Sequence, residues 1–397
     1  ISAVTNMNLL SITQRFGSSL VVIIGIAGSV AVMVSLLAMA SGLQSTVEGT
    51  GEEDRAMILR SGSSSELSSV ISIEEANVMA NAPGLKQLGN EPMIAFEVYT
   101  VVDLKKKGAE DTSNLPLRGV DAMSFAVRPE TKIIKGRNFE PGKAEIIVGR
   151  GAYDQYEGVE LGEKVTFRNA TWTVVGVFST EGDVHESEVW ADVKVAQSAF
   201  QRGASTSNAI ARLESVSSFD EFAIFIENDP RLEVKVENEL DFYKNQASGV
   251  SGIINSFGYL VAIIMAIGSI FAALNSMYSA VSTRLVEIGT LRAVGFRGSS
   301  ILAALMIESM ILALMGGLLG AGLAYVIFNG YTVSTLAGGT FSQTSFDFAV
   351  TGEIIMQGLI LALVVGFIGG FLPALNAARQ NITCLLYTSD AADDVRC

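Results

Sequence analysis

LVVIIGIAGSVAVMVSLLAM, residues 20–39, is a run of 20 residues without an ionisable side chain, about the length an α-helix needs to cross the hydrocarbon of a bilayer. The charge-free interval around it extends from Arg15 to Glu48. It is longer than the apolar core of a signal peptide and no clear small-x-small site closes it, so it reads as a retained span. Three more such runs follow. Ile253–Val281 lies between Lys244 and Arg284 without charge, Ile301–Phe328 holds one acid, Glu308, and Ile354–Leu375 holds none. The fold class expected is therefore an α-helical transmembrane protein of four spans, placed at 18–42, 251–283, 301–328 and 354–376, with an α+β extracytoplasmic domain at 43–250.

Composition points the same way. Hydrophobic residues make up 49% and charged residues 17%, against roughly a quarter charged in globular chains. The net charge of −14 is concentrated in residues 43–250, which hold 21 of the 27 Lys and Arg and 34 of the 41 Asp and Glu, a net of −13. An acidic surface of this kind argues against nucleic acid and against lying flat on anionic lipid. The short loops show the opposite bias: Arg15 precedes the first span, Arg284, Arg292 and Arg297 lie between the second and third, and Arg379 follows the fourth. The loop 329–353 carries Asp347, ends on Glu353 and has no Lys or Arg. The positive-inside rule then puts the segments 1–17, 284–300 and 377–397 in the cytoplasm and 43–250 outside.

Within 43–250 a Gly/Ser-rich start precedes a helix expected at Ile73–Ala82, with Ser72 as its cap. Strands are expected at Met93–Val102, Glu145–Val148, Lys164–Phe167, Thr171–Phe178 and Glu188–Ala191, forming a β-rich insert at about 115–195. A strand at Asn208–Leu213, a helix at Ser217–Glu227 and a strand at Leu232–Val236 complete the domain. Both cysteines, Cys384 and Cys397, lie in the last 14 residues, so the domain relies on its core and not on disulfides.

Enzyme chemistry is thinly represented, and no catalytic or metal residue is assigned. Glu181-Gly-Asp183-Val-His185-Glu186-Ser-Glu188 contains the chain's one histidine. Without a second imidazole it is a poor metal site and reads as a solvated acidic loop. His185 is likewise the only imidazole base that a serine nucleophile could use. Gly136 to Ala144 imitates a phosphate loop, but has five residues between its glycines and Ala144 where the magnesium-binding hydroxyl belongs.

The most informative loop is RLVEIGTLRAVGFR, Arg284–Arg297, which reads as polar turns continuing the second span, a break at Gly289 or Gly295, and a short amphipathic helix at the membrane surface. Glu308, early in the third span, is expected to pair with a nearby arginine or to mark an intramembrane polar site. Gly316, Gly317 and Gly320 are expected to let helices pack closely.

These features resemble the FtsX/MacB-like family of ABC transporter permease subunits. The carriers are the R-x-x-E-I-G-x-L-R-A-x-G run at Arg284–Gly295, Glu308, Gly316-Gly317-x-x-Gly320, and Leu372-Pro-Ala-x-x-Ala-Ala-Arg379, arranged as one span, a large domain and three spans. The resemblance implies a bacterial inner-membrane subunit that binds no cofactor itself and works with a cytosolic ABC ATPase that uses ATP. A second permease subunit would complete the dimer, and a periplasmic adaptor and outer-membrane channel are further partners it allows. It also implies that Arg284, Glu287, Ile288, Gly289, Leu291, Arg292, Gly295 and Phe296 couple to the ATPase. Motion of the periplasmic domain would serve export or extraction of a hydrophobic, lipidated or peptide-like substrate. The alternative is a non-transporting regulator that activates periplasmic partners such as cell-wall hydrolases. After about Thr383 the composition departs from the family pattern and reads as non-native.

Overall fold

The computed structural model describes residues 16–168, 170–336 and 343–379. Arg15 and the tail with Cys384 and Cys397 lie outside the described residues. In chain order the elements are α1 (Phe16–Glu48), β1 (Arg55–Arg60), α2 (Ile73–Met79), β2 (Gln87–Leu88), β3 (Glu91–Pro92), β4 (Ile94–Lys105), β5 (Thr112–Val120), α3 (Ala122–Val127), β6 (Lys132–Gly136), β7 (Glu145–Gly149), α4 (Arg150–Gln155) and β8 (Lys164–Phe167). They continue with β9 (Ala170–Ser179), β10 (Val189–Asp192), α5 (Val193–Ala199), β11 (Asn208–Arg212), α6 (Phe219–Asn228), β12 (Val234–Asn238), α7 (Glu239–Ser282), α8 (Leu285–Ala293), α9 (Gly298–Phe328), β13 (Thr332–Leu336), β14 (Gln343–Asp347) and α10 (Gly352–Arg379).

Two compact units result. One holds the chain up to Ser41, Ile253–Tyr331 and the residues from Phe348 on; the other holds Gly42–Gly252 together with Thr332–Asp347. Among the described residues four helices, α1, α7, α9 and α10, are long and apolar enough to cross a membrane. The 44 residues of α7 rise about 66 Å at 1.5 Å each, roughly twice the hydrocarbon thickness.

Lipid supplies no hydrophobic drive for helices to associate, so close backbone approach and polar contacts must hold the membrane unit. On α9, Gly316 and Gly320 lie one turn apart against α1. A Cβ on Gly316 would stand 2.9 Å from the Ile23 carbonyl oxygen, and one on Gly320 would collide with that of Ala27. Gly317 faces α10, where an added Cβ would be 2.8 Å from Ala362 Cβ. Between α1 and α7, Ser29 Oγ meets Ser269 Oγ at 2.7 Å, and Ser269 also donates to the Gly25 carbonyl at 2.9 Å.

The large unit is built on a ten-stranded mixed sheet in the order β12-β1-β11-β4-β5-β10-β7-β9-β6, with β8 also on β9. Its long strand β4 pairs β11 through Ile94–Glu97 and β5 through Val98–Lys105. One core gathers Ile58, Met79, Ala211 and Phe222 around the first half of the sheet. A second gathers Leu117, Ile146, Trp172 and Val189 around the other half. The 115–195 stretch continues the same sheet and also contains the short helices α3, α4 and α5. Helix α2 begins with the expected cap: Ser72 Oγ accepts from the Glu75 amide at 3.3 Å, and the Glu75 carboxylate accepts from the Ser72 amide at 2.8 Å.

The expectation of a solvated acidic loop around His185 is overturned. His185 is fully buried, Asp183 and Glu188 are nearly so, and of the acids in the run it is Glu181 that stays largely exposed. The reason is Arg118, buried on β5. Its guanidinium holds Glu188 at 2.8 Å, Glu66 at 2.6 Å and Glu97 at 2.9 Å, and lies 4.9 Å from the Tyr99 ring. Arg128, at the end of α3, binds Glu97 at 2.5 Å. Arg55 on β1 binds Glu130 at 2.8 Å and Glu239, the first residue of α7, at 3.4 Å. Burial would raise the Glu97 carboxyl, but Arg128 and Arg118 outweigh it and hold it down at about 2.

A buried ion cluster is costly to assemble and costlier to break, because removing one partner strands the others away from water. Arg118→Met leaves three carboxylates converging on an apolar side chain. It is expected to destabilise the large unit by about 3–5 kcal/mol in denaturant unfolding, and a loss under about 1 kcal/mol would show that the cluster is not bound through Arg118.

Candidate functional site

The polar turn between α7 and α9 folds into a helix of its own, α8. The chain breaks at Thr283-Arg284, ahead of both glycines expected to break it. Gly289 lies inside α8, and Gly295 turns the chain with φ +103°, a conformation that glycine adopts without a side-chain penalty.

Arg284 points inward. It is 4% exposed, and its guanidinium lies 3.2 Å from the carboxylate of Glu308 on α9, which is 5% exposed. Pairing satisfies both charges at a depth where either alone would be expensive. Ile288 packs beneath them with Met277, Val281, Ile301, Leu305 and Ala374, and Gly289 is buried beside it. Leu291 and Arg292 lie at the margin of the buried face.

Glu287, Gly295 and Phe296 point outward. Around them Val286 is 53% and Val294 79% exposed, so the outer face of α8 is an apolar strip beside one carboxylate. Glu287 in the first turn and Arg292 in the last complement the helix dipole. The eight residues expected to act together thus divide into an inner set that fixes the helix and an outer set open to a partner.

No arrangement for catalysis was found among the described residues. The His185 ring nitrogens meet no hydroxyl, and no group of three His, Cys, Asp or Glu side chains could hold a metal ion. Gly136–Ala144 joins β6 to β7 with no helix following, so it lacks the helix N-terminus that a phosphate loop supplies. The residues missed in the sequence are the ion cluster of Arg55, Glu66, Glu97, Arg118, Arg128 and Glu239. Its one visible signal was a charge inside an apolar strand, as at Glu97 in IAFEVYTVV.

Comparison with known proteins adds the following. The family model described as MacB-like periplasmic core domain matches residues 19–227, and the one described as FtsX-like permease C-terminal matches 259–382. A macrolide export ATP-binding/permease protein MacB of Psychrobacter cryohalolentis is 35% identical over 119 residues, 30% of this chain and 17% of that protein. The protein of the same name from Rhodopseudomonas palustris is 24% identical over 321 residues, 76% of this chain and 47% of that protein. The chain thus spans less than half the length of either relative. Among solved structures, the extracellular domain of the transporter YknZ from Gram-positive bacteria is 17% identical with a TM-score of 0.34, covering 46% of this chain and all of that one. The periplasmic region of MacB from Actinobacillus actinomycetemcomitans is 12% identical with a TM-score of 0.36, covering 48% of this chain and 92% of that one.

The Arg284–Glu308 pair is testable by a double-mutant cycle. Arg284→Ala and Glu308→Ala should each lower the thermal midpoint in detergent, and the double variant should be no worse than the worse single. A coupling of about 0.5–3 kcal/mol is expected for contacting residues, and strict additivity would show that the pair contributes nothing.

Proposed function

The chain belongs to the family of permeases that join a MacB-like periplasmic core domain to an FtsX-like membrane region, and on that premise we propose that it is the membrane subunit of a bacterial ABC transporter, driven by a cytosolic ATPase docked on α8. The observation that carries this reading is the outer face of α8 and the turn after it, where Val286 and Glu287, then Val294 and Phe296, stand exposed while Ile288 and Gly289 face inward. Exposed apolar side chains beside a charge are the composition of a protein interface.

Orientation follows from charge. Arg284, Arg292 and Arg297 mark the cytoplasmic side. The hairpin β13–β14 belongs to the same unit as the large domain, consistent with the α9–α10 connection and the domain sharing the opposite side of an inner membrane. Helix α7 is unbroken from the end of β12 to two residues before α8. A continuous helix of this kind can carry displacement along its axis, so ATP-driven movement at α8 would be transmitted to the periplasmic domain. Pairing with a second permease subunit brings two such helices under one ATPase dimer. The cargo best matched to four spans whose one charged residue is Glu308 is hydrophobic, lipidated or peptide-like. An adaptor and an outer-membrane channel would receive it.

Two measurements test this. Glu287→Arg and Phe296→Asp should each reduce co-purification of the ATPase subunit at least tenfold, about 1.4 kcal/mol, while leaving the permease folded; undiminished capture by both would remove α8 as the dock. In a background with Cys384→Ser and Cys397→Ser, a Ser299→Cys variant should react with a membrane-impermeant maleimide only after the cells are opened, and labelling of intact cells would invert the orientation.

A further inference from the structure

The chain has one histidine, and the large domain seals it from solvent. His185 sits in the 3₁₀ turn Val184–Ser187 with its ring edge-on to Trp190 at 5.7 Å and to Tyr243 of α7 at 6.2 Å. Its Nδ1 stands 3.3 Å from Glu188 Oε1. Among the described residues neither ring nitrogen finds hydrogen-bond geometry, and the same holds for the Tyr243 hydroxyl and one Glu239 oxygen.

Asp183 and Glu188 at the two ends of its own turn, Glu97 on β4, Arg128 at the end of α3, and Glu239 and Tyr243 on α7 act on the ring; the turn also packs against β7, α4 and β14, which carry Glu145, Arg150, Asp154 and Asp347. Among the buried side chains Glu66, Glu97, Asp183, Glu188 and Glu239 oppose Arg55, Arg118 and Arg128. Five carboxyl groups against three guanidinium groups leave an excess of acid, which an imidazolium at His185 would reduce by one charge.

We propose that His185 is a proton-operated latch: charged, it fastens the first turns of α7 to the large domain, and neutral, it lets them slacken. Losing the proton takes counter-charge from Glu188 and from Glu239, whose carboxyl burial already raises, in a low-dielectric interior where such an imbalance is costly. Glu239 is the first residue of α7, so the imbalance acts where the helix joins β12.

The titration directions agree. Burial would lower His185, but Glu188 and Asp183 outweigh it and raise it. Its contribution is then complete below the unfolded value and lost as pH rises through the raised one. Asp183, pushed by burial up to about 6, works in the same sense, its contribution complete below its ordinary 3.8 and fading as pH climbs through about 6. Glu97 and Glu188, held low by the arginines, set the acid limit, because their contribution is present above about 4.5 and is lost as pH falls below it. The latch is therefore tightest near pH 5, weakens as Asp183 titrates toward about 6, and loosens further as pH rises past about 6.5 through the raised His185 value.

The proposal concerns how α7 is held and not what is transported, so its test reads structure alone. The full chain in detergent, purified with a histidine-free tag and labelled in histidine, gives a single imidazole resonance. Its midpoint is expected above about 6.5, the unperturbed value. Hydrogen exchange of residues 239–246, corrected for intrinsic rates, should show about tenfold less protection at pH 8 than at pH 5.5. The step should shrink in His185→Gln to the part Asp183 contributes and persist in full in Tyr243→Phe. A midpoint at or below 6.5, or an equal step in His185→Gln, overturns the latch. Should His185→Gln fail to fold, coincidence of the resonance and exchange midpoints in the unaltered protein supports it, and separated midpoints overturn it.

Discussion

The guanidinium of Arg118 is the constraint around which the large domain is organised. A cation at 1% exposure is tolerated only with its hydrogen bonds filled, and the groups that fill them come from distant parts of the chain: Glu66 ahead of α2, Glu97 on β4 and Glu188 before β10. Each carboxylate must be delivered to within about 3 Å, which fixes the placement of β4, which carries Glu97, and of β10, which follows Glu188 directly. Arg128 and Arg55 extend the same logic to α3 and to the start of α7. Hydrophobic burial in two cores drives collapse, and the ions select which collapsed arrangement is reached.

In the membrane unit the balance is reversed. Apolar side chains are interchangeable with lipid, so specificity falls to atoms that are absent or polar. Gly316, Gly317 and Gly320 bring α9 against its neighbours, Ser29 and Ser269 join α1 to α7, and Arg284 with Glu308 closes the polar end. With Arg284 paired to Glu308, α8 keeps Val286 and Glu287 on an outer face that takes no part in these contacts, as the proposed docking surface requires.

The spans, the α8 loop and the fold class were legible because hydropathy and charge act over long windows. Lys164–Phe167 and the flanks of β9 followed from alternation, and the α2 cap from Ser72 and Glu75. Strand β1 was not legible: RAMILR is buried on both faces along most of its length, so it has no alternation to read. β5 was hidden by Pro116 and Arg118. The structure reconciles the proline, since β10 pairs only Leu117–Val120 and at Pro116 β5 is still an edge, where a missing amide costs little. The burial of His185 depends on three separate segments converging, and no local pattern in GDVHESE records that.

Strand β4 has a consequence for how the domain is made. It lends one end to each core, so neither core can close before this strand is placed, and its placement awaits β11, more than 100 residues downstream. The two halves should fold and melt in a single cooperative step, slowly, as expected of chains dominated by non-local pairing. A cut within residues 94–105 would leave two fragments with no stable life apart, which makes the boundaries at Gly42 and Gly252, and not the division between the cores, the natural places to excise the domain.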